Sequence, residues 1–416
     1  MRQDNWAPAP DGATIVATPV GAINMAALSM TPEADNELAV TVPALSRLGV
    51  RDFRCYQSAD LKLDANLIVL TGANGAGKTN LLEAISLLAP GRGLRRAKLA
   101  EIERIEEGVA PVGKGWAVSA RIETGLGPVD IGTGRLQDAP ERRVVKIDGV
   151  VQRSQTALAP LLAVAWLTPQ MDRIFIEGAS GRRRFLDRLV YGVDADHASR
   201  LTAYDHAMRE RGRLLRDGRF ERAWLEALER EMATRAIAIA SARIAFVERL
   251  GTVAEADLAP FPVPDLSLSG EIETALRTEQ AAEIEASLRE RLASLRRVDA
   301  ESGTTTAGTH RTDFVVTHRV KRRQAADCST GEQKALLIAI QLAHARLVAD
   351  TRGEPPLLLL DEIAAHLDRG RLEALFAALT QLGGQVWLSG TEREQFSALT
   401  GNAQFFHVAH GKVMDQ

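Results

Sequence analysis

Gly72-Ala73-Asn74-Gly75-Ala76-Gly77-Lys78-Thr79 fits the pattern G-x-x-x-x-G-K-[ST]. The run before it, Leu67-Ile68-Val69-Leu70, is short and apolar, as suits a buried strand. The run after it, Asn80 to Leu88, carries apolar residues at helical spacing. The octapeptide therefore sits where a strand turns into a helix, the context that gives this pattern its meaning. Successive backbone N–H groups in such a turn form a concave anion site, and the helix dipole adds to it. All eight residues are expected to cradle ATP, with Lys78 reaching the β- and γ-phosphates and the Thr79 hydroxyl ligating Mg²⁺.

Farther along, Leu357-Leu358-Leu359-Leu360-Asp361-Glu362 reads as a buried strand ending in two acids, the form of a Walker B motif. Asp361 is expected to hold Mg²⁺, directly or through water, and Glu362 to polarise the attacking water. Cys328-Ser329-Thr330-Gly331-Glu332-Gln333-Lys334 precedes a helix running to about Val348. A serine and a glycine at a helix start make a second anion site. One ATP hardly needs two cradles from one chain. Ser329 and Gly331 are therefore expected to cap the γ-phosphate of an ATP held by another copy, giving an ATP-dependent head-to-tail homodimer with two sites. Asp368 is placed for a contact across that interface, and His366 reads as structural. Gln385 to Ser389 forms one more strand, ended by Ser389-Gly390-Thr391. Related ATPases often place a histidine there, so Thr391 or another group is expected to sense the γ-phosphate.

At 416 residues the chain is too long for one compact core, and two lobes are expected. Its 45% hydrophobic and 25% charged residues are those of a soluble globular protein. The net charge of −3 means that any nucleic-acid site must be a local patch. The two cysteines, Cys55 and Cys328, suggest reduced thiols in a cytoplasmic protein. Thr14 to Met30 is uncharged, but Pro19, Gly21 and Asn24 interrupt it and it falls short of a membrane helix. Residues 1–44 read as a disordered tail, with Met25 and Met30 as alternative starts.

The expected fold is α/β: an ATPase head with a β-rich subdomain and an inserted helical lobe. Residues 45–165 make the first part of the ATPase lobe. Within it Leu45–Phe53 pairs with Ala59–Leu63, and further strands lie at Ala117–Ile122, Val129–Gly132 and Val144–Ile147, with an Asp148-Gly149 turn. Residues 166–300 make the helical lobe, broken at Gly212, at Gly218 and at the Pro-rich stretch Ala259–Asp265. Helix resumes from about Glu271 to Val298. Residues 301–416 complete the ATPase lobe.

Phosphate loop, signature segment and Walker B together resemble the ABC-type ATPase head shared by transporters and SMC-like DNA proteins. Further segments resemble the RecF family. Phe53-Arg54-Cys55-Tyr56 is similar to its FRNY segment, with Cys55 in place of the usual Asn. Gly72 to Ile85 is close to the family's version throughout. Arg182-Arg183-Arg184-Phe185-Leu186-Asp187 is similar to RRRFLD, and Tyr204 to Leu215 to its Y…QRNxLL helix. Gly308-Thr309-His310-Arg311-Thr312-Asp313 resembles GPHRDD, departing at Thr309 and Thr312. The signature here reads STGEQK where the family has SQGQQR, and Glu362 stands where the family often has Asp. Thr168-Pro169-Gln170 resembles a Q-loop, which makes Gln170 a link between Mg²⁺ and the lobe interface.

The resemblance spans about residues 45–410. It implies a cytoplasmic ATP-dependent DNA-binding protein of recombinational repair and replication restart. Such a protein recognises gapped or junction DNA and single strands, works with RecR and RecO, assists RecA loading, supports SOS induction and hydrolyses ATP weakly, with stimulation by DNA. Phosphate contacts are expected among Arg92, Arg95, Arg96 and Lys98, among Arg142, Arg143 and Lys146, and among Arg319, Lys321, Arg322 and Arg323. Arg182 to Arg184 read instead as interlobe or nucleotide-proximal. The alternative is an ABC-type ATPase subunit driving a protein partner without binding DNA; the β-rich first lobe and the RRRFLD and HRTD segments speak against it.

Overall fold

A computed structural model describes residues 44–105, 115–137, 139–218, 221–255, 258–365 and 367–416. Most of the expected tail and His366 lie outside the described residues; residue 44 already opens a strand.

Ala44–Phe53 (β1) and Tyr56–Lys62 (β2) pair antiparallel, and Leu67–Thr71 (β3) leads into the glycine-rich loop. Lys78–Ser86 (α1) and the short Leu99–Ile102 (α2) follow. Trp116–Thr124 (β4), Gly127–Leu136 (β5), Ala139–Ile147 (β6) and Val150–Val151 (β7) then extend the first hairpin. The result is an antiparallel sheet in the order β2-β1-β4-β5-β6-β7. Asp148 (φ 47) and Gly149 (φ 78) turn β6 into β7, both with the positive φ that a tight two-residue hairpin needs.

Val164–Leu167 (β8) precedes three helices, Ala179–Tyr191 (α3), His197–Arg216 (α4) and Arg222–Glu255 (α5). Gly212 does not interrupt the chain as expected. It lies inside α4, where one glycine costs only about 1 kcal/mol. Pro264–Ser269 (β9), Glu271–Ala275 (α6), Ala281–Ser294 (α7), Arg296–Ser302 (α8), Asp313–His318 (β10) and Arg323–Gln324 (β11) come next. The strand β9 falls between the proline-rich break and the helix from Glu271, inside the expected helical lobe. Leu266 and Leu268 alternate with Asp265, Ser267 and Ser269, a period of two, and β9 pairs with β10 in a small antiparallel sheet ordered β11-β10-β9.

The chain closes with Thr330–Arg352 (α9), Leu357–Leu360 (β12), Arg369–Leu382 (α10), Val386–Ser389 (β13), Ala403–Ala409 (β14) and Lys412–Asp415 (β15). A second six-stranded sheet runs β15-β14-β3-β13-β12-β8. Its strands are parallel except for the β14–β15 hairpin. Parallel strands buried on both faces read as unbroken apolar runs, which is why Leu357–Leu360 is four leucines. Leu358 and Leu360 join one core, with Val69, Leu388 and residues of α3, α9 and α10. Leu357 and Leu359 join the other, with Ile68, Trp387, α1 and the inner face of the antiparallel sheet. Each fully buried leucine contributes about 2 kcal/mol.

The expected boundary at 165/166 falls inside β8. The helix α5 also ties the regions together. Its Met232, Ala236 and Ile239 pack into a core with α4 and α7, while its Phe246, Leu250 and Ala254 join the core beneath the parallel sheet.

Candidate functional site

The glycine-rich loop links the C-terminal end of β3 to α1, with Gly72 at φ 140 and Gly77 at φ 120. A Cβ on Gly72 would lie 2.2 Å from the Val408 carbonyl oxygen, and one on Gly77 would lie 2.6 Å from the Tyr56 hydroxyl. Both positions therefore need glycine for space as well as for backbone angle. Lys78 is buried, and its Nζ donates to the carbonyls of Gly72 at 2.7 Å and Ala73 at 2.9 Å. Burial lowers its pKa; the carboxylates of Glu362 and then Asp361 work in the opposite direction. An ammonium held this way inside the loop is placed for a phosphate.

The segment Phe53–Tyr56 braces that loop. The Tyr56 hydroxyl donates to the Gly77 carbonyl at 3.0 Å, and Asn80 Nδ2 donates to Cys55 Sγ at 3.1 Å. Arg54 grips the buried carboxylate of Glu83 on α1 through two bonds of 2.8 and 2.7 Å, and Arg95 donates to the same carboxylate at 2.9 Å. The side chain of Arg95 is thus part of the support of α1.

Thr79 and Asp361 meet. Thr79 Oγ1 lies 3.1 and 2.9 Å from the two carboxylate oxygens. Adjacent oxygen ligands of an octahedral Mg²⁺ stand about 2.9 Å apart, so this pair fits the ion. Among the described residues no cluster of three or more His, Cys, Asp or Glu could hold a metal. The remaining ligands would thus be phosphate oxygens and water, as suits an ion that arrives with a nucleotide. Asp361 is 4% exposed. Its N–H donates to Leu167 of β8, which registers the end of the Walker B strand. Glu362 is half-buried and adopts φ 48, a left-handed conformation that re-aims the chain directly after β12.

Gln170 lies in the one-turn helix Pro169–Arg173 directly after β8, the neighbour of β12, and is exposed. Two residues on, Asp172 accepts from the buried Lys334 of α9 at 3.3 Å, so this turn is tied to the signature helix. Ser329 caps α9: its Oγ accepts from the Glu332 N–H at 3.4 Å, and Glu332 returns a bond to the Ser329 N–H at 2.9 Å. Lys321, followed by these bonds with Ser329, holds the Glu332 carboxyl down at about 2. A Cβ on Gly331 would meet nothing within 4 Å. Asp368 is exposed and caps α10, accepting from Arg371 N–H at 2.9 Å. Among the described residues no hydrogen bond joins Ser329, Gly331 or Asp368 to residues 72–79 or 361–362.

Three segments beyond the nucleotide motifs converge. Arg182 clasps Asp313 through bonds of 2.8 and 2.7 Å, and Arg183 donates to the Thr312 carbonyl at 2.7 Å. The buried Arg243 of α5 joins Asp187 at 2.8 and 2.9 Å and Thr309 Oγ1 at 2.8 Å. Thr312 Oγ1 donates to Glu273 at 2.7 Å. The two threonines at 309 and 312 thus have partners, Arg243 and Glu273, that use their hydroxyls. Arg184 is exposed.

The basic candidates divide. Arg143 points inward, donating to the Gly91 carbonyl at 2.6 Å and also to that of Leu87, and burial lowers it to about 10. It is a structural arginine and not a free phosphate contact. Arg319 is engaged with Asp265 and Glu255, and Lys321 with Glu332. Arg92, Arg96, Lys98, Arg142, Lys146, Arg322 and Arg323 are exposed. No helix among the described residues is long and apolar enough to cross a membrane.

A parallel sheet joining a phosphate loop to a Walker B strand, flanked by a capped signature helix, defines an ATPase head of the ABC and SMC class. Residues 44–413 match the model of the RecF/RecN/SMC N-terminal domain. The DNA replication and repair proteins RecF of Mesorhizobium japonicum and Rhizobium rhizogenes are 47% and 48% identical to the chain, over 89% of its length and 97% and 98% of theirs. The chain belongs to the RecF family. In fold it is similar to the solved structure of the recombination mediator protein RecF-ATP in the RecFOR pathway (TM-score 0.79, 23% identity, 92% of this chain and 100% of that one). It is also similar to an SMC head bound to the C-winged helix domain of ScpA (TM-score 0.53, 14% identity, 89% and 97%).

Ser389 escaped the sequence reading as a site residue. It lies at the end of the recognised strand β13, and only the register of β13 between β3 and β12 reveals what it touches.

Proposed function

We propose that this chain is an ATP-gated DNA-binding ATPase of recombinational repair and replication restart, acting as a cytoplasmic homodimer. The observation that carries the reading is the pair of separate anion sites. The phosphate loop with Lys78 forms one, beside the Thr79–Asp361 pair that would hold Mg²⁺; Ser329 and Gly331 form another, with no hydrogen bond between them among the described residues. One chain binds one ATP with residues 72–79 and offers the second site to its partner's ATP. Asp368 and Gln170 belong to the same interface in this reading.

Lys78 binds the β- and γ-phosphates, and the loop N–H groups cradle them. Thr79 and Asp361 would hold Mg²⁺, which supplies charge neutralisation on the phosphates when bound. Glu362 accepts a proton from the attacking water. Ser329 and Gly331 meet the γ-phosphate across the interface, so that loss of this group weakens the dimer. ATP must bind the closed dimer better than the open state for this to gate anything. Hydrolysis is slow in a lone chain because the site is then half built, and DNA that favours closure stimulates it.

Closure over a duplex beside a gap or junction uses exposed basic residues such as Arg92, Arg96 and Lys98. Binding to single strands, cooperation with RecR and RecO, assistance to RecA loading and support of SOS induction complete the proposal, and rest on family membership. The dimer is tested by measuring mass in solution with and without ATP. Glu362→Gln is expected to dimerise with ATP. Gly331→Arg, for which the chain has open space, is expected to bind ATP and stay monomeric. Lys78→Ala is expected neither to bind ATP nor to dimerise; ATP-driven dimerisation of that variant would refute the sandwich.

A further inference from the structure

Strand β13 lies between β3 and β12 and ends on Ser389, which is 0% exposed. The Ser389 hydroxyl donates to Asp361 Oδ1 at 2.6 Å and accepts the Glu362 N–H at 2.9 Å. It therefore touches both acids that end the Walker B strand. Thr79, at the start of α1, reaches the same Asp361 carboxylate. Glu362 needs such support, because φ 48 is the left-handed region, where a non-glycine Cβ crowds the following carbonyl oxygen.

The next two residues supply no alternative. A Cβ on Gly390 would lie 2.5 Å from the Phe396 ring, so a side chain at this position would collide with that ring. Thr391 is exposed, and its side chain makes no hydrogen bond among the described residues. The end of β13 reaches the acids through Ser389.

We propose that Ser389 is the positioning residue of this ATPase site. Its O–H sets the direction of the Asp361 carboxylate toward Thr79. Its lone pair holds the left-handed turn that aims Glu362. One hydroxyl does both because it donates once and still accepts. The same group joins the two acids, so a shift of Asp361 when the nucleotide site fills is passed to the backbone of Glu362. The proposal rests on the assignment of Asp361 to Mg²⁺ and of Glu362 to water.

The test compares Ser389→Ala, Ser389→Thr and Ser389→Cys with the unaltered chain, using ATP affinity with EDTA, ATP affinity with Mg²⁺, and turnover. With EDTA the Ser389→Ala variant is expected to bind ATP within about twofold of the unaltered chain, since the phosphate loop is intact. The gain in affinity on adding Mg²⁺ and the kcat are each expected to fall about 10- to 100-fold, the range for groups that orient ligands of a metal, with a smaller change in KM. Ser389→Thr keeps the hydroxyl and is expected to restore both. Ser389→Cys has a similar size but bonds weakly and is not. If Ser389→Ala does not fold, the threonine and cysteine variants decide, and full function with cysteine overturns the proposal. An unchanged Mg²⁺ response and turnover in Ser389→Ala, beside an inactive Glu362→Gln, overturn it alone. Normal hydrolysis by Glu362→Gln overturns the assignment of the acids and the proposal with it.

Discussion

Thr79 and Asp361 stand 282 positions apart in sequence and within 3.1 Å in space. That pair was legible because phosphate and Mg²⁺ chemistry demands particular residues at particular spacing. Groups that support the motifs carry no such signature. Tyr56 could be recognised only by family resemblance; that its hydroxyl secures the Gly77 carbonyl depends on how β2 meets the loop. His344 is a second case, an ordinary helical residue in sequence and a buried imidazole in the fold. Its Nε2 donates to the Leu189 carbonyl at 2.9 Å, while its Nδ1 is buried with no hydrogen-bond partner among the described residues. Burial pushes it from 6.5 down to about 4. The folded pKa lies below the unfolded one, so the unfolded chain takes the proton first as pH falls. Stability present above pH 6.5 is therefore lost on the way to about pH 4, by up to about 3 kcal/mol. Denaturant unfolding at a series of pH values checks this: His344→Gln is expected to lose less stability over that window, and an equal loss would contradict the assignment.

At the scale of elements, long periodic stretches were readable and short ones less so. The strand β9 follows a proline-rich break and precedes helices, and its six-residue alternation is too short to stand out inside the expected helical lobe. Its identity comes from pairing with β10, some forty-five residues on, which no local pattern shows. Such long-range links are strong where they are buried. Arg243 is 1% exposed and joins α5 to Asp187 of α3 and to Thr309. Arg243→Ala leaves a buried carboxylate short of its main partner and is expected to cost about 3–5 kcal/mol, read as a lower denaturation midpoint. The exposed basic loop after α1 behaves differently. Replacing Arg92, Arg96 and Lys98 together by Ala is expected to leave the midpoint unchanged. It should weaken DNA binding and lower the slope of log affinity against log salt by up to about 3. Arg143→Ala is the control, expected to cost about 2 kcal/mol of stability through its lost carbonyl contacts without a matching change in salt slope.

For the molecule as a whole, the parallel sheet gathers the site at the carboxyl ends of its strands. β3, β12, β13 and β8 deliver the phosphate loop, the two acids, Ser389 and the Gln170 turn from the same ends of adjacent strands. The α/β class and the order of the motifs followed from sequence. The continuity of the molecule did not, because one 34-residue helix, α5, enters two cores that the sequence pattern treats as separate lobes. The gating proposed above needs a change at the nucleotide to reach distant surfaces through packed elements, and Lys334 and Asp172 tie the signature helix to the turn beyond β8. Clamping of DNA by an ATP-closed dimer is the claim on which the proposed function stands. It is tested most directly with Glu362→Gln, by measuring affinity for a gapped duplex with and without ATP at one fixed salt concentration. Binding at least about tenfold tighter with ATP, a coupling of about 1.4 kcal/mol, is the expected result. Equal and weak binding in both conditions would contradict the clamp and point to an ATPase whose partner is a protein.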